Sequence, residues 1–341
     1  MSRRRLEIRV EKHRLAAPFR ISGFVFEASD LVVVTLSEGG ARGRGEASGV
    51  YYLGDDAEHI VAGIEAHRST IEGGIDRAAL QQLMLPGGAR NAVDCALWEL
   101  EAVQKGQPVW QIAGVQAPEP LVTTFTLGAD DPAAMAAGAR AYAGARAIKI
   151  KLTGELDLDI ERVKAIRAAR TDVWLGVDAN QGFVRGDLER LVAAMVDQGV
   201  SLIEQPLARG AEAELEGYRS PIPIAADESV LSLADVPAMV GRFDVINIKL
   251  DKCGGLTEGL AMAQEARRLG IGVMVGNMVG TSLAMGPAFI LGQTCDYVDL
   301  DGPIFLAEDR KPGIVYRDGT AWVGDEVWGG AAEVAVGEPV E

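Results

Sequence analysis

Polar residues punctuate the second half of this chain at a nearly even interval: Lys151, Asp178, Glu204, Asp227, Lys249, then Asp299 with Asp301. Successive gaps are 27, 26, 23, 22 and 50 residues, and the last spans about two of the others. Most of these residues close a short apolar run of the kind that forms a buried parallel strand, and a helix-length segment follows. A strand, a helix and their loops occupy roughly 25 residues, so the interval reads as successive βα units. Repeated βα units close into a barrel whose functional groups gather at the C-terminal ends of the strands.

Eight strand-like runs support that reading. They lie at 121–126, 147–152, 173–177, 202–203, 222–224, 245–248, 272–275 and 297–298, with amphipathic segments such as 158–170, 188–198 and 257–269 between them, and helices are expected after the first seven. The first 115 residues do not share the interval. Leu6–Leu15 and Leu31–Leu36 read as strands on either side of a loop, 16–30, and a third short strand ends near Glu46. Helical patterns follow at 56–71, 77–85 and 89–104. The expected organisation is an α+β lobe over 1–115, a barrel over 116–305 and a C-terminal segment, 306–341, returning toward the first lobe.

Asp178, Glu204 and Asp227 end three consecutive runs and therefore point into one space. Three carboxylates there repel one another unless a cation joins them, and an all-oxygen donor set suits Mg²⁺. The alternative is that each acid caps the helix after its strand. Alternation along Ala147–Leu152 turns Lys149 and Lys151 the same way, into the barrel. Four strands separate Lys151 from Lys249, which puts the two amines on opposite sides of the mouth. Such a pair can remove a proton from one face of a carbon and return it on the other, while a metal stabilises the charge left on an adjoining carboxylate. Lys149 reads as a counter-ion to the acids or as a contact to that carboxylate.

The bulk properties narrow the field. The chain has 49 acidic against 33 basic residues, a net charge of −16, and no basic run beyond Arg3-Arg4-Arg5, which excludes an ordinary nucleic-acid binder. That triplet runs into alternating Leu6, Ile8 and Val10 rather than a signal-peptide core, and no apolar stretch approaches the ~20 residues of a membrane helix. A cytoplasmic protein is expected, with Cys95, Cys253 and Cys295 as reduced thiols. His13, His59 and His67 all lie away from the periodic acids, so histidine chemistry is not expected.

The K-x-K at 149–151, the three acids and the lone Lys249 resemble the enolase superfamily, and within it the muconate-lactonizing subgroup. Asp299-Leu300-Asp301 is similar to the D-x-D of dipeptide epimerases, and the stretches 87–99 and 247–258 resemble the L-Ala-D/L-Glu epimerases. The resemblance implies an α/β fold, a modified TIM barrel (β/α)7β with an N-terminal α+β capping domain. It also implies Mg²⁺ on Asp178, Glu204 and Asp227, with Lys151 and Lys249 as acid/base catalysts. Lys149 would touch the substrate carboxylate, Asp299 and Asp301 would hold the ammonium of a dipeptide, and Thr126 and Asn277 would line the pocket.

In Ala-Glu epimerases a cap-loop arginine meets the glutamate side chain. The comparable stretch here is Ile21-Ser22-Gly23-Phe24-Val25-Phe26, with Arg20 nearby. Either Ala-Glu or a dipeptide with an apolar C-terminal residue packed on Phe24 or Phe26 is therefore the expected substrate. N-succinylamino acid racemase, o-succinylbenzoate synthase and muconate cycloisomerase are rivals on the same scaffold, and a non-catalytic metal-containing barrel is a further one. Relatives commonly form symmetric assemblies, so a homo-oligomer is expected by analogy.

Overall fold

The computed structural model describes residues 3–21 and 24–331, with the side chains at 19–21 and 24 outside the described set. The expected cap-loop residues Ser22 and Gly23, the side chain of Phe24 and the end of the C-terminal segment thus lie outside the described residues.

Three antiparallel strands open the chain: β1 (Arg5–Ile21), β2 (Phe24–Glu38) and β3 (Ala41–Ala47). The stretch expected as a loop between 16 and 30 instead continues the hairpin. A register shift between Arg14 and Phe19 lets pairing resume at Phe19↔Phe26, so an irregularity that breaks the alternation conceals the strand. The long helix Gly88–Lys105 crosses this sheet at close range. A Cβ on Gly43 would fall 2.1 Å from the Ala96 carbonyl oxygen, and one on Gly45 would fall 2.0 Å from that of Ala92. Only glycine permits that approach.

Beyond the lobe, β4 (Leu121–Val122) precedes eight parallel strands: β5 (Thr124–Leu127), β6 (Ala147–Lys151), β7 (Trp174–Asp178), β8 (Leu202–Glu204), β9 (Ile224–Ala226), β10 (Val245–Lys249), β11 (Gly272–Gly276) and β12 (Tyr297–Val298). They pair in chain order. Two corrections to the sequence reading follow. The run at 121–126 splits, because β4 leaves the barrel to pair with β14 (Thr320–Trp322), itself paired to β13 (Val315–Arg317). The links after β8 and β9 are 3₁₀ segments, Glu212–Leu215 and Leu233–Met239, rather than α-helices. Pro237 within the second removes a backbone donor that an α-helix there would use.

Inside the barrel the residues form layers. Leu202, Ala225, Val245 and Met274 pack together with Trp174 and Tyr297 as an apolar floor. Two residues further along the strands the inward positions are Lys149, Gly176, Glu204, Asp227, Asn247 and Gly276. A Cβ on Gly176 would meet the Trp174 ring at 2.6 Å, so the indole lies against this strand. Between β12 and β5 the barrel is joined by side chains. The Thr126 N–H donates to Asp301 Oδ2 at 2.6 Å, the Leu300 N–H donates to Thr123 Oγ1 at 2.9 Å, and the Thr124 hydroxyl donates to Asp299 Oδ1 at 2.5 Å.

Helix 88–105 faces the lobe's sheet on one side and the barrel on the other, and carries buried polar residues for both. Glu99 pairs with Arg44, while Asp94 accepts from the Thr257 N–H and hydroxyl. The C-terminal segment reaches the lobe as well: Trp328 Nε1 donates to the Arg44 carbonyl at 2.9 Å, and the Gly329 N–H donates to Glu99 at 3.2 Å.

Candidate active site

Asp178 ends β7 and Glu204 ends β8, while Asp227 immediately follows β9. Each is at most 1% exposed, and one oxygen from each lies within 4.8 Å of the others. Backbone with positive φ follows the first two, at Asn180 (42°), Gln181 (67°) and Gln205 (37°). Such conformations cost about 1–3 kcal/mol each and concentrate at functional sites. Here they turn the chain sharply outward while leaving the carboxylates aimed inward.

Four ammonium groups surround the trio. Lys151 Nζ lies 2.6 Å from Asp178 Oδ2, and across the barrel Lys249 Nζ lies 2.6 Å from Asp227 Oδ2. Lys149 Nζ sits between Asp178 (3.1 Å), Glu204 (2.8 Å) and Asp299 (2.9 Å). Lys149 is thus a counter-ion to the acids, one of its two expected roles. Lys252 was assigned no role from the sequence. Its Nζ donates to Asp227 Oδ1 at 2.5 Å, the Asp227 carbonyl at 2.6 Å and the Asn247 carbonyl at 3.0 Å. All three of its hydrogens are engaged, which suits orientation of Asp227 and leaves none for proton transfer. The available signal was spacing: three residues after Lys249, one helical turn brings Lys252 back over the strand end. Asn247, which donates to Glu204 Oε1 at 2.8 Å, is a second such residue.

Electrostatics separates the three acids. Burial would raise Asp178, but Lys151 and then Lys149 hold it down to about 2. Burial likewise opposes ionisation of Asp227, yet Lys249 and Lys252 keep it well below the carboxylate range. Burial and then the charge of Asp178 push Glu204 up to about 7, despite Lys149 at 2.8 Å. Glu204 is thus the member of the trio whose charge the ammonium partners offset least. Burial pulls Lys249 down, but Asp227 and other carboxylates outweigh it and hold the ammonium above its ordinary range. The neutral amine that a base requires is therefore not the form favoured at Lys249 while it is the counter-ion of Asp227.

A cavity of about 280 Å³ lies between lobe and barrel mouth. Lys151, Asp227, Lys249, Asn277 and Phe26 line it, along with Tyr51 and Tyr52. Lys149, Thr126, Asp299 and Asp301 do not. Thr126 and the two aspartates are tied into the barrel seam, and Asn277 donates to the Asp299 carbonyl. Burial and then Asp299 push Asp301 up to about 7. Among the described lining residues the only cationic side chains are Lys151 and Lys249, while Asp30, Asp55, Asp56 and Glu228 add acidity.

The family models agree with this architecture. Residues 4–114 match the mandelate racemase/muconate lactonizing enzyme N-terminal domain, and residues 132–327 match the enolase C-terminal domain-like model. The chain belongs to the enolase superfamily. It is 38% identical to L-Ala-D/L-Glu epimerase of Escherichia coli (strain K12) over 318 residues, covering 93% of this chain and 98% of that protein. It is 42% identical to an N-acetyl-D-glutamate racemase of a Pseudoalteromonas species over 246 residues, 72% and 77% of the two chains. An enolase family member from Agrobacterium tumefaciens, with bound sodium and L-Ala-L-Glu, superposes with a TM-score of 0.91 at 42% identity, covering 96% of this chain and all of that one. The dipeptide epimerase of Methylococcus capsulatus, complexed with Mg and L-Arg-D-Lys, gives 0.88 at 31% identity, covering 95% and 98%.

Proposed function

We propose that this chain is a dipeptide epimerase, inverting the α-carbon of the C-terminal residue of an L-Xaa-L-Yaa dipeptide by two-base proton transfer. The observation that carries the reading is the placement of Lys151 and Lys249. They stand on strands four apart in an eight-stranded barrel, each against a different member of the acidic trio.

The donor set fits a divalent ion: three buried carboxylates converge, and Glu204 resists ionising beside its neighbours. Held by Asp178, Glu204 and Asp227, Mg²⁺ would neutralise the substrate carboxylate and acidify the adjoining C–H. With the trio balanced in that way, Lys249 loses the carboxylate partners that favour its protonated form. One amine then takes the α-proton, and the other ammonium delivers a proton to the opposite face. Lys149 keeps positive charge beside the reacting carboxylate. Asp299 and Asp301, engaged here by Thr124, Thr126 and Lys149, would offer two carboxylates to a dipeptide's ammonium.

The cavity wall of Phe26, Tyr51 and Tyr52, with acids but no arginine among its described residues, supports a C-terminal residue without a carboxylate side chain. Comparing kcat/KM for Ala-Glu with Ala-Leu and Ala-Phe tests this. The apolar dipeptides should be the better substrates, and a strong Ala-Glu preference refutes the assignment.

A second reading, racemisation of an N-acylated amino acid, is favoured by the 42% identity to the N-acetyl-D-glutamate racemase. Such a substrate brings no ammonium to Asp299 and Asp301. Solvent deuterium should enter the α-position of dipeptides and not that of N-acetyl amino acids. The reverse pattern selects the second reading. A cytoplasmic, homo-oligomeric enzyme remains part of the proposal, and among the described residues no helix is long and apolar enough to cross a membrane.

A further inference from the structure

We propose that Asp251 is a positioning residue that anchors the cavity-lining loop of the first lobe to the strand end carrying Lys249. The kinetic part of this inference rests on the dipeptide reading above. Asp251 lies two residues beyond Lys249, in the helical turn Leu250–Cys253, and is 6% exposed. Its Oδ1 accepts from the Ser48 N–H at 3.0 Å, the Gly49 N–H at 3.3 Å and Asn91 Nδ2 at 3.3 Å. Ser48 and Gly49 directly follow the end of β3 at Ala47. Asp251 therefore receives the backbone donors where the chain leaves its sheet.

The loop beyond is closed on itself. Val50 and Asp55 exchange backbone hydrogen bonds at 3.0 and 3.2 Å, and Asp55 Oδ2 accepts from the Gly88 N–H at 2.8 Å. Gly49 has a φ of 73°, and a Cβ there would fall 2.0 Å from the Asp55 carbonyl oxygen. The position accordingly requires glycine. Held at Gly88 on the lobe and at Asp251 on the barrel, the loop presents Tyr51 and Tyr52 to the cavity. Tyr51 meets Phe26 edge-on at 5.2 Å and Tyr52 at 5.1 Å, so displacement of the loop would carry the aromatic wall with it. Asp251 thereby sets the distance between the wall that selects a side chain and the amine that moves the proton.

The test compares Asp251→Ala and Asp251→Asn in the full chain. Backbone amides of Ser48 and Gly49 should exchange with deuterium faster in the alanine variant. KM for dipeptides with a large C-terminal residue should rise about tenfold, as expected for loss of a buried hydrogen-bond acceptor, with a much smaller change in kcat. Asparagine retains an oxygen that can accept from both N–H groups, so Asp251→Asn should restore both readouts toward wild type. Unchanged exchange at 48–49, a fall in kcat with KM unmoved, or equal behaviour of the two variants would overturn the assignment. If the alanine variant does not fold, exchange in wild type and Asp251→Asn decides: protection at both amides supports the anchor, and free exchange removes it. Faster exchange in Asp251→Ala, in a protein whose wild type turns over no dipeptide, would sustain the anchor while sinking the dipeptide reading.

Discussion

Lys151 and Lys249 make equivalent salt bridges with opposite members of the trio, so neither can substitute for the other. Replacing either with alanine should lower epimerisation by about 10²–10⁴-fold, the usual loss when a positioned acid or base is removed. Circular dichroism of α-proton inversion measures it, and substantial activity in either variant would exclude the two-base scheme. Lys252 poses a different question, because its three hydrogens serve Asp227 and Asn247. Lys252→Met leaves a buried carboxylate without one of its cations, a change that destabilises by about 3–5 kcal/mol. Urea unfolding tests that figure, and an unchanged midpoint would mean that Lys249 alone suffices for Asp227.

At the scale of elements, the seam between β12 and β5 gives Asp301 a structural task independent of any ligand. Asp301→Ala should lower stability by about 1–3 kcal/mol without substrate, since it strands the buried Thr126 N–H. A residue serving substrate alone would leave the unfolding curve in place. Helix 88–105 supplies a pH-dependent counterpart in Asp94, which burial pushes up to about 6 against the hydrogen bonds from Thr257. The unfolded value is near 3.9, so the native chain binds more protons between about pH 4 and 6, and stability falls as pH rises through that window. Relative to Asp94→Asn, the wild type should lose about 3 kcal/mol across it. Unfolding at each pH gives the difference, and a constant offset would refute the assignment. The inward acids and lysines were legible because period-two alternation ends in a charge on strand after strand. The continuation of β1 and β2 past Arg14 was not, because its register slips. Nor were the 3₁₀ links, since a short amphipathic run does not distinguish 3.0 from 3.6 residues per turn.

For the whole molecule, a divalent ion bound by the folded form alone should stabilise it. Mg²⁺ at about 100 times its dissociation constant would add about 2.7 kcal/mol. Thermal unfolding with Mg²⁺ or with a chelator reads this, and Asp178→Ala should erase most of the gain; a wild type indifferent to both additions would argue against a metal site. How the lobe meets the barrel was less visible in the sequence than the barrel itself. Contacts such as Arg90 to the Cys253 carbonyl at 2.6 Å, or Glu46 to the Thr281 N–H at 2.7 Å, join residues more than 160 positions apart and follow no period. The mouth of the barrel has one more property. Asp178, Glu204, Asp227 and Asp299 are met by Lys149, Lys151, Lys249 and Lys252, pairing four anions with four cations. Magnesium would therefore arrive as in an ion exchanger, displacing tethered amines rather than hydrated sodium, and its charge would be met by the carboxylate of the incoming guest.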